Sequence, residues 1–246
     1  MVPGPLTGRK AVHAIILAAS NSNPPGESGA DAHPACLKEV DGRSLLAQLL
    51  DQLFQLGVRA ADLVVGYEAR LIIDHVGTLS SRPDVAFHFN PRFELGSVLS
   101  LRAAEETLKA GDDVLVIDAD VLCHPAVLQK LVESPVENCF LLDREAESKS
   151  GSFKIALLEN RMVDYCRQLP EGLKHDAVAE SPGLYKFGSR AAECLAEECE
   201  RLETEGLSDG PHEEVIRQVM LSCPLAFAYE DVSGLPWTRF QVQYAE

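Results

Sequence analysis

The sequence predicts an α/β protein in which a mostly parallel sheet lies between two layers of helices. Two observations support this three-layer α/β/α arrangement. Short apolar runs alternate with amphipathic segments of helical period through the first 143 residues, as in successive strand–helix units. The chain of 246 residues is 46% hydrophobic and 24% charged, a composition typical of globular proteins that excludes disordered and fibrous classes.

The first half predicts five strands, each a short apolar run, with helices between them. The strands are predicted at residues 12–18, 62–67, 85–89, 114–117 and 140–142. Ser44 is expected to cap a helix that runs to Leu56 and stops at Gly57. Further helices are predicted at residues 69–76, from Ser97 through 108, and from Pro125 to about 133.

The pattern changes after residue 144. Short strands at residues 153–158 and 162–166 flank a turn, which predicts a small antiparallel insertion. A strand at 183–187, a helix capped by Ser189 and running through 205, a helix from Pro211 to 221 and a strand at 225–229 follow. We expect one domain over residues 11–246, preceded by a flexible tail at residues 1–10.

The charge and the cysteines limit the functional classes. The formal charge of −16 disfavours partners such as nucleic acid and anionic membranes, because both are bound by clustered Lys and Arg. No apolar run has the length of a membrane span, and seven cysteines without a C-x-x-C pair predict buried thiols in a reducing, cytoplasmic compartment. Nine acidic residues between 193 and 214 face one Arg201 and predict a solvated helix face.

Two loops that follow predicted strands are candidates for binding a ligand, because ligands of open α/β sheets bind at the carboxyl ends of the strands. The small residues Leu17, Ala18, Ala19 and Ser20 could let the backbone approach a phosphate, although an ordinary surface loop has the same composition. Gly96 and Ser97 begin a predicted helix, where free N–H groups could contact a base or phosphate; a simple Ser cap is the alternative.

Asp118 and Asp120 follow the most β-like run of the sequence. Carboxylates at the end of a strand are natural ligands of Mg²⁺, whereas the alternative is a pair of turn-forming residues. Because side chains alternate along a strand, we expect only one of the two carboxylates to face the cleft.

These features together resemble a family. Residues 14–19 (AIILAA) and 34–46 (PACLKEVDGRSLL), together with 90–93 (NPRF), 116–122 (VIDADVL) and 234–238 (GLPWT), are similar to the MobA-like nucleotidyltransferases of Rossmann-like, GT-A-type fold. Within that group they look like the branch of choline-phosphate and phosphonate cytidylyltransferases. The resemblance covers the chain from about residue 11 to the C-terminus.

The resemblance implies transfer of a nucleotidyl group, usually from CTP, to a phospho-alcohol or phosphonate, with release of pyrophosphate. It implies a nucleotide-binding half at 11–143 and an acceptor-side half at 144–246. Asp120 matches the first Mg²⁺ ligand, with Asp118 beside it, and residues 17–20 and 96–97 match nucleotide contacts. Lys154 matches a basic residue that faces the acceptor phosphate. A homodimer is compatible with the sequence.

The sequence also departs from the family pattern. The glycine and arginine expected in the first loop are absent, and the lysine expected after Pro34 is replaced by Ala35, which leaves Lys38 as the nearest base. An extended segment would direct Lys38 to the other side. The second metal ligand of the family, an Asp, becomes Gln241.

Three hypotheses follow from these departures. The first is an active cytidylyltransferase-like enzyme in which Lys38 and Arg239 replace the missing bases. The second is a catalytically degenerate protein of the same fold that acts as a binding or partner subunit. The third is a GT-A glycosyltransferase that uses Asp118 and Asp120 as its metal motif.

Overall fold

A computed structural model describes residues 12–20, 33–147 and 152–240. Its strands are β1 (Val12–Ala18), β2 (Glu39–Val40), β3 (Arg43–Ser44), β4 (Ala60–Val65), β5 (Asp84–Phe89), β6 (Asp113–Asp118), β7 (Val121–Cys123), β8 (Cys139–Leu142), β9 (Lys154–Leu158), β10 (Arg161–Cys166), β11 (Ala177–Glu180), β12 (Leu184–Phe187), β13 (Ala228–Asp231) and β14 (Trp237–Arg239). Its α-helices are α1 (Leu45–Gln55), α2 (Ala69–Gly77), α3 (Ser97–Ala103), α4 (Glu105–Leu108), α5 (Pro125–Glu133), α6 (Ser189–Thr204) and α7 (His212–Ser222).

Seven strands form the central sheet in the order β13-β8-β12-β6-β1-β4-β5. All neighbouring pairs are parallel except those of β12, which runs antiparallel to both β6 and β8. This arrangement confirms the predicted mostly parallel sheet. A separate antiparallel sheet of β10, β9 and β11 is the predicted insertion.

Helices cover both faces of the sheet, as the apolar pattern of β1 requires. Ile15 and Leu17 point into a core shared with α3, α6 and α7, whereas Ala14 and Ile16 point into a core shared with α1, α2 and α5. Side chains of a strand alternate between the two faces, so a strand buried on both faces is apolar throughout. The three-layer prediction is therefore confirmed.

The local signals for the helix ends are confirmed where their chemistry is strongest. The Ser44 hydroxyl accepts the Ala47 N–H at 3.0 Å and caps α1, and Gly57 has the positive φ of 89° expected after a helix. Pro125 is the first residue of α5. The helix predicted from Ser97 through 108 is instead broken at Ala104 into α3 and α4.

The second half differs from the expectation in one important respect. Strand β12 lies inside the main sheet and β13 forms one edge of it, so residues on both sides of 144 build this sheet. The late strand begins at Ala228 rather than at 225, and the short strands β2, β3, β7, β11 and β14 were not predicted. The pair β7–β14 is antiparallel and sits directly after β6. The predicted tail at residues 1–10 lies outside the described residues.

Two surface expectations can be compared with the structure. Among the residues described, no helix has both the length and the apolar composition needed to cross a bilayer. The acidic face of α6 is not simply solvated, because Arg92 and Arg102 pair with Glu203, and Lys109 lies 3.5 Å from Glu200. Bases of the neighbouring segments therefore neutralise part of that face.

Candidate active site

The two aspartates after β6 both lie in one acidic cluster. Asp118 is the last residue of the strand, and Asp120 stands in the turn that leads to β7. The charge of Asp118 acts on Asp120, and both carboxylates act electrostatically on Arg239. The expectation that only one of the two faces the cleft stays a prediction, and side-chain alternation does not decide it, because the strand ends at Asp118.

Arg239 reaches the cluster because β14 pairs antiparallel with β7. The pairing places Arg239 opposite Val121, and the N–H of Phe240 donates to the carbonyl oxygen of Asp120 at 2.9 Å. The guanidinium forms an ion pair with Oδ2 of Asp118 and lies 3.5 Å from Oε1 of Glu213. Although burial opposes it, these carboxylates hold the pKa of Arg239 above its usual range, so the guanidinium is charged.

His212 and Glu213, the first two residues of α7, complete the arrangement. Nε2 of His212 lies 3.5 Å from Oδ1 of Asp118, and Nδ1 lies 3.2 Å from Oε2 of Glu213. Asp118, Arg239, Glu213 and His212 therefore form a closed four-residue ring in which acidic and basic side chains alternate. Burial disfavours the charge of Glu213, but His212 and Arg239 hold the pKa of Glu213 below its usual range.

Asp120 lies outside this ring and is less well compensated. Burial, followed by the charge of Asp118, raises the pKa of Asp120 to about 6. Its Oδ1 atom is buried and has no hydrogen-bond partner. A buried oxygen without a partner is costly, so this carboxyl group is the one poised to accept a cation or a proton.

The family resemblance implies Mg²⁺, and the residues fit such an ion in part. Asp120 fits, since its orphaned oxygen offers a hard ligand. Asp118 does not fit, because Oδ2 is taken by the Arg239 guanidinium and Oδ1 faces His212. Gln241, the second predicted metal position, lies outside the described residues.

The predicted phosphate loop begins at the edge of the sheet next to this cluster. The carbonyl of Leu17 accepts the Ala119 N–H at 3.1 Å, and the carbonyl of Ala19 accepts the Tyr67 N–H at 3.0 Å. Ala18 is buried, while Ser20 is exposed. These contacts hold the carboxyl end of β1 beside the aspartates, and the nucleotide contact of residues 17–20 stays a prediction.

Gly96 and Ser97 both contribute to the packing of the start of α3 against the start of α7. A Cβ on Gly96 would come within 2.6 Å of the backbone of Asp209 and Gly210, so the start of α3 can pack there only with glycine. The Ser97 hydroxyl accepts the His212 N–H at 2.8 Å and lies 3.0 Å from Nδ1 of His212. Ser97 thus fixes one member of the ring, and its contact with a nucleotide stays a prediction.

Lys38 contacts the residue that follows Arg239. A 3₁₀ turn at Ala35–Leu37 replaces the expected extended segment and redirects the lysine. Its exposed Nζ lies 4.4 Å from the centroid of the Phe240 ring, and the backbone of Phe240 is bonded to Asp120. The segment before Lys38 is therefore not extended, and a role of this lysine toward the phosphates stays a prediction.

Lys154 belongs to the small antiparallel sheet of β10, β9 and β11. It is the first residue of β9, where its register partners are Cys166 and Glu180. Half-buried, it opens the insertion, and its role toward an acceptor stays a prediction. Arg167, close to the end of β10, acts electrostatically on Glu213 and is a further base near the ring.

Sequence reasoning missed two members of the ring. His212 and Glu213 follow Pro211 at a helix start, and Glu213 was counted among the acids of a solvated face. Both are instead 3% exposed. Their apolar neighbours Val215, Ile216 and Val219 fix which face of α7 is buried, but no local signal shows that the polar first turn lies against β6.

The topology and the position of the acidic cluster define a class. Ligands of parallel α/β sheets bind at the carboxyl ends of the strands, and β6 stands at the centre of this sheet with Asp118 at that end. This is the architecture of a doubly wound α/β protein with a candidate ligand site at the carboxyl end of its central strand. Residues 14–180 match the family described as the MobA-like NTP transferase domain, and the chain belongs to that family.

The chain is also similar to particular proteins. It is 25% identical over 230 residues to CMP-5′-(3-aminopropyl)phosphonate synthase of Streptomyces rubellomurinus; the match covers 92% of this chain and 36% of that protein. The chain thus spans about a third of the length of this curated relative.

Two solved structures show the same fold. The inositol-1-phosphate CTP transferase of T. maritima superposes with a TM-score of 0.70 at 18% identity, covering 92% of this chain and 88% of that one. The CTP:phosphocholine cytidylyltransferase of Streptococcus pneumoniae superposes with a TM-score of 0.72 at 16% identity, covering 94% and 95%.

Proposed function

We propose that this protein transfers a nucleotidyl group, in particular cytidylyl, from an NTP to a small phospho-alcohol or phosphonate. An oxygen of the acceptor phosphate or phosphonate attacks the α-phosphorus, the bond from that phosphorus to the bridging oxygen breaks, and pyrophosphate leaves. The observation that carries the proposal is the cluster of Asp118, Asp120 and Arg239 at the carboxyl end of the central strand in a member of an NTP transferase family.

The printed names of the relatives support the cytidylyl group and the acceptor class. The curated relative is a synthase of a CMP-phosphonate, and both solved structures bear the names of CTP-dependent transferases. Because none of these matches exceeds 25% identity, they suggest the class of acceptor and not its identity.

The surroundings of each residue suggest a different role for it in the reaction. Asp120, with its unpartnered oxygen, would hold Mg²⁺, which when bound to a nucleotide supplies positive charge for the phosphate oxygens. Asp118 holds the guanidinium of Arg239 in place. Lys38, exposed beside Phe240, is positioned to approach the outer phosphates of a triphosphate. Catalysis by this set is positioning and charge neutralisation.

The second candidate function, nucleotide binding without catalysis, is favoured by a separate observation. Asp118 and Glu213 are already neutralised within the ring, as expected for a member of the fold that binds a nucleotide without turning it over. The family match makes glycosyl transfer, the third hypothesis, the least supported of the three.

One assay separates these candidates. The purified chain is incubated with Mg²⁺, each of CTP, UTP, GTP and ATP, and a panel of 2-aminoethylphosphonate, 3-aminopropylphosphonate, phosphocholine and inositol 1-phosphate. We expect pyrophosphate release with CTP and at least one acceptor, with the CMP adduct visible by ³¹P NMR. Thermal stabilisation by CTP without pyrophosphate from any pair would support the binding-only function and overturn the proposal.

A further inference from the structure

The guanidinium of Arg239 occupies the centre of the acidic cluster. One of its nitrogen atoms pairs with Asp118, another lies 3.5 Å from Glu213, and its charge also acts on Asp120. The side chain is 14% exposed, so most of this contact is shielded from water. Three carboxylates therefore share one fixed cation.

Two of these carboxylates, together with His212, have the arrangement of a metal site. Asp118, His212 and Glu213 are all buried and offer ligand atoms within 4.8 Å of one another. Two carboxylates and an imidazole are a donor set that binds Mn²⁺ and related divalent ions. Nε2 of His212 is buried and, although it lies 3.5 Å from Oδ1 of Asp118, makes no hydrogen bond, so it remains available as a ligand.

We propose that Arg239 is the resident cation of this site and stands where a divalent ion would otherwise sit between Asp118 and Glu213. The proposal deepens the proposed function and rests on it for the identity of the ligand. It leaves Asp120 as the single carboxylate for an ion that arrives with the nucleotide. Before nucleotide binds, the protein then has no tight divalent-ion site in this cluster.

A glycine beside the guanidinium and the pairing of β14 with β7 allow Arg239 to occupy this position. Gly183 has a φ of 80°, and a Cβ there would collide with the guanidinium. An arginine cannot lose its proton at accessible pH, so its charge persists whatever the state of the neighbouring acids. The pairing of β14 with β7 fixes the backbone on which the side chain is carried.

The test measures Mn²⁺ binding by electron paramagnetic resonance in the absence of nucleotide. We expect the wild-type chain to bind weakly, in the millimolar range. Arg239→Met removes the charge while keeping an apolar stem, and it should create one site that binds at least tenfold more tightly. Adding Asp118→Asn to that variant should abolish the gain.

A matched control uses another arginine that pairs with a buried carboxylate. Arg217, in α7, binds Asp164 through two nitrogen atoms at 2.7 and 3.0 Å. Arg217→Met removes an equivalent ion pair away from the Asp–His–Glu cluster found among the described residues, and it should create no Mn²⁺ site. Arg239→Lys keeps the charge and should leave binding as weak as in the wild type.

Each outcome decides the proposal without reference to activity. Micromolar Mn²⁺ binding by the wild type that disappears in Asp118→Asn would overturn it, as would a folded Arg239→Met that gains no site. If Arg239→Met does not fold by circular dichroism, Arg239→Lys and the wild type decide: weak binding by both supports the proposal, and tight binding by either refutes it. Failure of the pyrophosphate assay leaves these binding results unaffected.

Discussion

Gly183 lies against the guanidinium of Arg239, so a side chain at position 183 would have to displace that guanidinium. A Cβ at position 183 would collide with Nη2 of Arg239 and come within 2.5 Å of Oδ2 of Asp118. The loop between β11 and β12 therefore lies against the ion pair, and its Gly183 carbonyl accepts the Asp118 N–H at 3.3 Å. Strands from both halves of the chain meet at this point.

The first prediction concerns this contact. Gly183→Ala should lower the free energy of unfolding by about 2–3 kcal/mol, since the new methyl group displaces Arg239 and the positive φ strains alanine. We also expect loss of pyrophosphate release. Gly172→Ala is the matched control: its φ is 79°, but a Cβ there meets nothing within 4 Å.

The Gly172→Ala control separates the effect of displacing Arg239 from the effect of backbone strain. Gly172→Ala should cost only the backbone strain, about 1 kcal/mol, and leave activity unchanged. Urea unfolding of both variants gives the comparison. Equal destabilisation of the two variants would show that the contact with Arg239 has no energetic role.

The second prediction tests the assignment of Asp120. Asp120→Asn removes the charge of the only carboxyl group in the cluster with a buried, unpartnered oxygen. If the protein is a transferase, kcat/KM should fall about 10²–10³-fold, the usual effect of losing one charge-stabilising contact. Asp112→Asn, on an exposed residue just before β6, should change nothing. Full activity in Asp120→Asn would reject the metal-ligand role.

The sequence predicted the sheet and its helices well because these depend on local patterns. The run from Val12 to Ala18 is apolar on both faces, and Ser44 and Pro125 mark helix starts with their own chemistry. Such signals act within a few residues of each other, so they can be read without knowing the tertiary structure.

The candidate site could be predicted only near the end of β6, where Asp118 ends the strand and Asp120 follows in the turn. The ring also needs Arg239 and His212, which reach Asp118 across about 120 and 95 residues of chain. Their contacts depend on the pairing of β14 with β7 and on the packing of α7. Neither arrangement has a local signal in the sequence.

The third prediction concerns stability at low pH. Asp62, buried in β4, lies 3.4 Å from Nε2 of His13 and 3.2 Å from Nε2 of His88, on the strands at either side, and accepts the Thr107 hydroxyl. Although burial opposes it, these hydrogen bonds lower the pKa of Asp62 to about 2. The folded carboxyl group thus binds a proton less readily than the unfolded one, whose pKa is about 4.

The stabilisation by Asp62 is therefore complete above pH 4 and is lost as the pH falls toward 2. Asp62→Asn should reduce the free energy of unfolding at pH 7 by about 1–2 kcal/mol, and the difference from the wild type should shrink at pH 2.5. Asp74→Asn, whose partner is Arg70 on an exposed face, should change stability by less than about 0.5 kcal/mol. A pH-independent difference for Asp62→Asn would contradict the assignment.

The last prediction separates the two roles considered for Ser97, which are to hold His212 in place and to contact the nucleotide. Its hydroxyl accepts the His212 N–H at 2.8 Å and so anchors the first turn of α7 to the first turn of α3. Ser97→Ala leaves that N–H without its partner in a part-buried position and should cost about 1–2 kcal/mol of unfolding free energy. Ser222→Ala, at the exposed end of α7 where the hydroxyl donates to Gln218, should cost less than about 0.5 kcal/mol.

Nucleotide binding distinguishes a purely structural role of Ser97 from contact with the ligand. If the hydroxyl also contacts the nucleotide, Ser97→Ala should weaken CTP binding about tenfold beyond any change in Ser222→Ala, measured by calorimetry well below the melting temperature. If it serves only His212, the affinity for CTP should stay within twofold while stability falls. Because the hydroxyl already accepts one hydrogen bond and lies 3.0 Å from Nδ1 of His212, its bonding capacity is largely used, and we expect the second result.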